Sequence, residues 1–155
     1  MPRAGFWAVE THAIRFGKDG YWYADHERIV NQRIATLFSR HVVRESDGSY
    51  WLRIGDERAR IEIEDTPFVV TSVDGDPQGG FRIRLNDGTE EPLPASTLQL
   101  GEGDVLYCAV KHGEHGARFL RSAQLALLEH VRETDGRYVL PLPGGHEQPI
   151  RSRAG

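Results

Sequence analysis

Five Asp-Gly dipeptides punctuate this chain of 155 residues, at Asp19-Gly20, Asp47-Gly48, Asp74-Gly75, Asp87-Gly88 and Asp135-Gly136. Glycine enters positive φ without steric cost, so Asp-Gly between strand-prone runs is a hairpin signal. Five such turns predict a chain dominated by antiparallel strands. The first is framed by Ile14 and Phe16, which alternate with polar neighbours, and by the aromatic run Tyr21-Trp22-Tyr23.

The clearest strand pattern lies between Tyr50 and Val73. Tyr50, Leu52 and Ile54 alternate with Trp51 and Arg53. After a turn at Gly55-Asp56-Glu57, Ala59, Ile61 and Ile63 alternate with Arg58, Arg60, Glu62 and Glu64. Period two on both sides of a turn reads as a half-buried antiparallel hairpin. Pro67 lacks a backbone N–H and biases Thr66 away from helix, so Glu64 to Phe68 is a corner and Phe68-Val69-Val70 begins a new strand.

Helical spacing occurs twice. Ile34, Leu37, Phe38 and Val42 recur on one face behind Asn31, a good N-cap, which predicts a helix over 31–43. Leu125, Leu128 and Val131, widened by Ala123, Ala126 and Leu127, predict a second over 121–132, with Ser122 as its cap. Each helix is followed by a similar segment. His41-Val42, Arg44-Glu45, Asp47-Gly48, Tyr50 and Leu52 match His130-Val131, Arg132-Glu133, Asp135-Gly136, Tyr138 and Leu140, with one deletion and an offset of 88 from Arg44 onward. Ile14-Arg15-Phe16 before Asp19-Gly20 is echoed by Ile83-Arg84-Leu85 before Asp87-Gly88. Chance recurrence of helix and turn is the plain alternative, but the identities in register favour duplication. The expected fold is therefore α+β: two similar units, each an antiparallel sheet with one helix, over residues 1–73 and 81–155, joined by a linker loop at 74–80.

Asp19-Gly20, Trp22, Ile29, Leu37-Phe38-Ser39, Asp47-Gly48, Tyr50, Leu52, Ile61-Glu62-Ile63-Glu64-Asp65 and Pro67-Phe68 follow in order the pattern of a bacterial family known as domain of unknown function 1285, which the chain resembles most densely from Asp19 to Phe68. The resemblance implies a duplicated architecture with a pleckstrin-homology-like second half. It also implies a signalling role in which a nucleotide-like ligand sits in the cleft between repeats. Members of that family have no established activity, so the resemblance names neither a reaction nor a cofactor.

Composition narrows the classes. The net charge is −4, with acidic and basic residues spread through both halves, which argues against electrostatically driven nucleic-acid binding. No positively charged leader precedes an apolar run, and no window approaches a membrane span, so a cytoplasmic protein is expected. The single cysteine, Cys108, sits in the apolar run Leu106 to Val110 and reads as core, leaving no intrachain disulfide and no cysteine-built zinc site. His112 and His115 are three apart, but Gly113 and Gly116 make the segment a loop without further ligands, so no metal is expected. His41 and His130 read as favourable charges near helix ends. Glu62 and Glu64 share a strand face, which is more often solvated than catalytic. No nucleophile elbow accompanies any serine, and nothing requires an enzyme.

The best candidate site is Lys111 to Ser122, read as a basic, glycine-containing loop leading into the second helix. Free amides at a helix start, glycines and nearby cations together make an anion site, although no Walker sequence is present. An ordinary surface loop is the alternative. The expected ligand is a phosphate-bearing, nucleotide-like small molecule held by Lys111, His115, Arg118 and Arg121, with Trp22 or Tyr107 stacking on a flat group and Asp65 at the facing corner. The competing reading is a protein–protein interaction module with no small ligand.

Overall fold

The computed structural model describes residues 9–153, and strands account for 47% and helical segments for 20% of the chain. It divides into two compact units, residues 1–67 and 68–155. The division falls at Pro67, where the corner was expected. Residues 74–80, expected as a linker, instead form the end of a hairpin inside the second unit.

In the first unit, β1 (Ile14–Phe16), β2 (Trp22–Ala24) and β3 (Glu27–Arg28) form one antiparallel meander. Helix α1 (Gln32–Arg40) leads to a second meander of β4 (Val42–Arg44), β5 (Tyr50–Ile54) and β6 (Glu57–Ile63). The two meanders join through a parallel pair, Ile14 opposite Ile61 and Phe16 opposite Ile63, which gives the order β3-β2-β1-β6-β5-β4. Strand alternation turns Ile14, Phe16, Leu52, Ile54, Ala59 and Ile61 inward, where all are buried. Trp22 lies between Phe16, centroid separation 4.8 Å, and Phe38 of α1, 5.6 Å and edge-on. Its indole N–H donates to the Ser39 hydroxyl at 2.9 Å, so the ring is buried with its one polar atom satisfied.

Helix α1 starts where its cap predicts: the Asn31 side chain accepts from the amides of Arg33 and Ile34 at 2.9 and 3.2 Å. It stops at Arg40, three residues short of the expected end, because the chain turns into β4. The His41 Nδ1–H closes the end by donating to the Leu37 carbonyl at 2.8 Å. Ile34, expected in the core, is 39% exposed, while Phe38 and Ser39 are the buried residues of the helix.

The second unit opens with β7 (Phe68–Asp76), β8 (Gly80–Leu85) and β9 (Glu90–Pro92). A second antiparallel set follows, β10 (Gln99–Leu100), β11 (Leu106–Val110) and β12 (His115–Phe119). Again the first and last of the six strands pair in parallel, Phe68 opposite Ala117 and Val70 opposite Phe119. Helix α2 (Arg121–Leu128) follows and buries Ala123 and Leu127. Then β13 (Arg132–Thr134), β14 (Arg137–Leu142) and β15 (His146–Pro149) make a separate three-stranded sheet, and β16 (Arg151–Ser152) adds a parallel edge beside β10. The core of this unit gathers Val70, Ile83, Leu85, Leu106, Val110, Phe119, Leu127 and Leu140, all nearly inaccessible to solvent.

These sheets correct the expected fold class. There are three of them among the described residues, the six- and seven-stranded sheets are mixed rather than antiparallel, and the helices do not occupy corresponding places. Helix α1 connects two meanders, whereas α2 comes after the sixth strand of its unit. The two units share a strand order, β3-β2-β1-β6-β5-β4 matching β9-β8-β7-β12-β11-β10, but not the helix-and-hairpin repeat that suggested duplication. The hairpins compared in that repeat also differ in register. Arg44 faces Tyr50 across a five-residue connection, while Arg132 faces Val139 because Asp135-Gly136, at φ 53 and 77, makes a two-residue turn.

Candidate functional site

The segment from Lys111 to Ser122 is not a loop running into a helix. Residues 115–119 are strand β12, and the turn that precedes it puts Lys111, His112 and Gly113 at φ 56, 61 and 80. The Lys111 ammonium is held by the Asp87 carboxylate at 2.6 Å and by the Thr89 hydroxyl at 3.0 Å. Thr89 also donates to Asp87 through its amide at 3.0 Å and its hydroxyl at 2.6 Å. Burial pushes the Asp87 pKa up, but the bonds from Lys111 and Thr89 outweigh it and hold the carboxyl below its ordinary value. Lys111 is thus already neutralised by a buried partner, and its role is to lock the β8–β9 connection to the β11–β12 turn.

The other expected site residues separate by strand alternation. His115 faces the core side, with its ring 5.4 Å from that of Phe68. Arg118 lies on the opposite face of β12, opposite Tyr107 in register, its guanidinium 3.5 Å from the Tyr107 hydroxyl. Tyr107 is buried, and the guanidinium of Arg153 lies 3.7 Å from its ring centroid, which covers the face expected to stack on a ligand. Arg121 is exposed at the first position of α2, whose N-cap is Leu120 with no side-chain cap, not Ser122. Trp22 and Asp65 belong to the first unit: Trp22 is 1% exposed and offers no free ring face, and Asp65 is half-buried in the corner. Within the second unit, Lys111 and His115 therefore fall on one sheet face, Arg118 and Tyr107 on the other, and Arg121 on the helix.

A concave site does form in the second unit, from residues that the sequence did not single out as a site. A cavity of about 380 Å³ is lined by Leu100, Leu128, Val131, Ile150 and Tyr138, with Asp104, Gln124 and Glu133 supplying polar groups. Gln124 sets the geometry: its side-chain oxygen accepts from the Leu106 amide at 2.9 Å and its amide nitrogen donates to the Asp104 carbonyl at 2.7 Å. These bonds tie α2 to the segment between β10 and β11. Glu133 and Tyr138 enter side by side as a cross-strand pair of β13 and β14. Leu128 and Val131 were legible as an apolar helix face, and the Asp135-Gly136 turn signal pairs Glu133 with Tyr138, but Asp104 comes from a separate segment that no local signal brings to them.

Three side chains with groups suited to covalent chemistry are engaged by their surroundings. The Cys108 thiol is buried and pushed up to about 12, first by burial and then by the Glu91 charge. His12 contacts the Asp25 carboxylate at 2.5 Å, and the His130 ring packs on Phe81 at 5.2 Å. Among the described residues no three His, Cys, Asp or Glu side chains group in a way that could hold a metal ion. Among the described residues no helix is long and apolar enough to cross a membrane.

Residues 7–66 match the family model described as "Domain of unknown function (DUF1285), N-terminal domain". The fold is similar to the crystal structure of a DUF1285 family protein from Silicibacter pomeroyi DSS-3, with a TM-score of 0.69 and 20% identity over 88% of this chain and 78% of that one. It is also similar to a DUF1285 family protein from Shewanella baltica OS155, with a TM-score of 0.60 and 18% identity over 76% of this chain and 91% of that one. No curated protein sequence matches the chain.

Proposed function

We propose that this chain, which resembles the DUF1285 family and matches its N-terminal domain over residues 7–66, is a non-catalytic binding module for a small organic molecule. The observation that carries the reading is the cavity of about 380 Å³ beside α2, within the range of about 300–1,000 Å³ common to small-molecule sites. Its walls are aliphatic, with the Tyr138 ring at one side, and among the described residues its only charged lining residues are the carboxylates of Asp104 and Glu133. Such a site favours a ligand with an apolar or aromatic body and a cationic end. The engaged state of Cys108, His12 and His130 supports binding over catalysis.

The test is calorimetric titration with simple aromatic amines such as phenethylamine and tyramine, beside the uncharged analogue phenylethanol. Saturable binding of the amines is expected, weakened about tenfold by Glu133→Gln, the equivalent of about 1.4 kcal/mol, and abolished by Leu128→Trp, which fills the cavity. Equal affinity for phenylethanol and the amines would remove the carboxylates from the site. A complete absence of binding across the set would remove the reading.

A second reading, the phosphate-bearing, nucleotide-like ligand, draws support from the two guanidiniums of Arg118 and Arg153 on Tyr107. Titration with adenosine monophosphate, repeated with Arg118→Ala, tests it. Affinity lost with Arg118 supports this reading, and unchanged affinity opposes it.

A further inference from the structure

We infer that the first unit carries a small-anion site on the outer face of its sheet, where Arg15, Arg60 and His26 line a cavity of about 140 Å³ suited to a phosphate group. Alternation explains why two arginines meet there. Ile14 and Phe16 of β1 and Ala59 and Ile61 of β6 turn inward, so Arg15 and Arg60 turn outward from adjacent parallel strands. Arg15 faces Glu62 in register, which makes Arg60, two residues earlier, its diagonal neighbour.

The cavity is held in shape by contacts around it. Tyr23, opposite Arg15 on β2, lies with its ring centroid 4.1 Å from the Arg15 guanidinium and donates its hydroxyl to Asp19 at 2.6 Å. The guanidinium plane is therefore backed by a ring that is itself tethered. His26 is placed by an unusual turn. Asp25 and His26 connect β2 to β3 with φ of 52 and 72, so two non-glycine residues occupy the left-handed region in succession. The Asp25 carboxylate holds that turn by accepting from the Ala13 amide at 2.9 Å and by meeting His12 Nδ1 at 2.5 Å. A disfavoured backbone persists where its surroundings over-determine it, and here the result is a histidine beside two arginines.

Charge and size select the ligand. Among the described residues the lining has two permanent cations against one carboxylate, Glu62, and Arg15 additionally reaches Glu64 at 3.4 Å. A phosphate would compete with Glu64 for Arg15 and accept from the planar N–H groups of both guanidiniums, the geometry in which arginine binds oxyanions best. A volume of about 140 Å³ leaves room for one such group.

An amide-resolved NMR titration with sodium phosphate at constant ionic strength, matched by sodium acetate and sodium chloride, tests the site on the full chain. Phosphate should give saturable shifts confined to amides near Arg15, His26 and Arg60, with acetate binding at least several-fold more weakly and chloride giving none. Arg60→Gln should weaken phosphate binding about tenfold and Glu62→Gln should tighten it several-fold. Arg53→Gln, which removes the same charge from an exposed position of β5 outside the cavity, should leave it unchanged. Shifts that fail to saturate, that chloride reproduces, or that respond equally to Arg53→Gln and Arg60→Gln would overturn the inference. Equal binding of acetate and phosphate would overturn its assignment to phosphate. Should Arg60→Gln fail to fold, Arg15→Lys, which keeps the charge but loses the planar donor pair, takes its place and should also weaken binding.

Discussion

Asp87 and Lys111 show what one residue contributes in this protein. The carboxylate is buried, the ammonium is partly so, and the pair joins two connections separated by 24 positions in sequence. Replacing Asp87 with asparagine leaves a cation facing a neutral amide and should destabilise the chain by about 1–3 kcal/mol at pH 7, less than a fully buried pair because Lys111 keeps some solvent. The pH dependence has a definite sign. The folded carboxyl ionises below the ordinary aspartate value of about 3.9, so its stabilisation is complete above about pH 4 and is lost as pH falls through the lowered folded value. Urea unfolding between pH 3 and 7 should therefore show a shallower acid limb in Asp87→Asn than in the wild type. Parallel limbs would mean that Asp87 is not the group responsible.

At the scale of an element, the two helices differ in how they begin. Asn31 caps α1 with two amide hydrogen bonds, so Asn31→Ala should cost about 1 kcal/mol, measurable as a lower midpoint in chemical denaturation with unchanged slope. Helix α2 has no side-chain cap and is anchored instead through Gln124 and the buried residues Ala123 and Leu127. The β7–β8 hairpin depends on a close approach. Gly75, expected to sit in a turn with Asp74, lies inside β7 at φ 112, and a Cβ there would be 2.0 Å from the Gly80 carbonyl oxygen. Backbone rather than a movable side chain blocks the space. Gly75→Ala should accordingly destabilise by more than about 2 kcal/mol, whereas Gly48→Ala, strained at φ 87 but meeting nothing within 4 Å, should cost less. A thermal-unfolding comparison of the two variants separates close approach from backbone strain alone.

For the whole molecule, each unit closes its strand order with a central parallel pair, β1 with β6 and β7 with β12. Buried ladders flanked on both sides open last, and edges open first. Hydrogen exchange should thus be slowest at Val70 and Phe119 in the second unit and faster at the edge strands β3, β9 and β16. The three-stranded sheet of β13 to β15, with Arg132 to Tyr138 exposed, should exchange ahead of the seven-stranded sheet. Uniform protection across all three sheets would contradict this ordering.

Short-range chemistry was legible in the residues themselves. Period-two alternation marked β5 and β6, Pro67 marked the corner where the units divide, and Asn31 marked the start of α1, because each depends on backbone sterics or on hydrogen bonds within a few positions. The 88-residue offset was equally visible, yet turn length moved its hairpins into different registers and the chain placed one in the main sheet and the other in a sheet of its own. Lys111 looked available in the sequence, and Asp87, 24 residues away, decided otherwise. The cavity beside α2 and the cluster of Arg15, Arg60 and His26 likewise exist only through strand pairing and helix docking. Which remote side chains become neighbours is set by the burial of apolar faces across the entire unit, a property that no window along the chain contains.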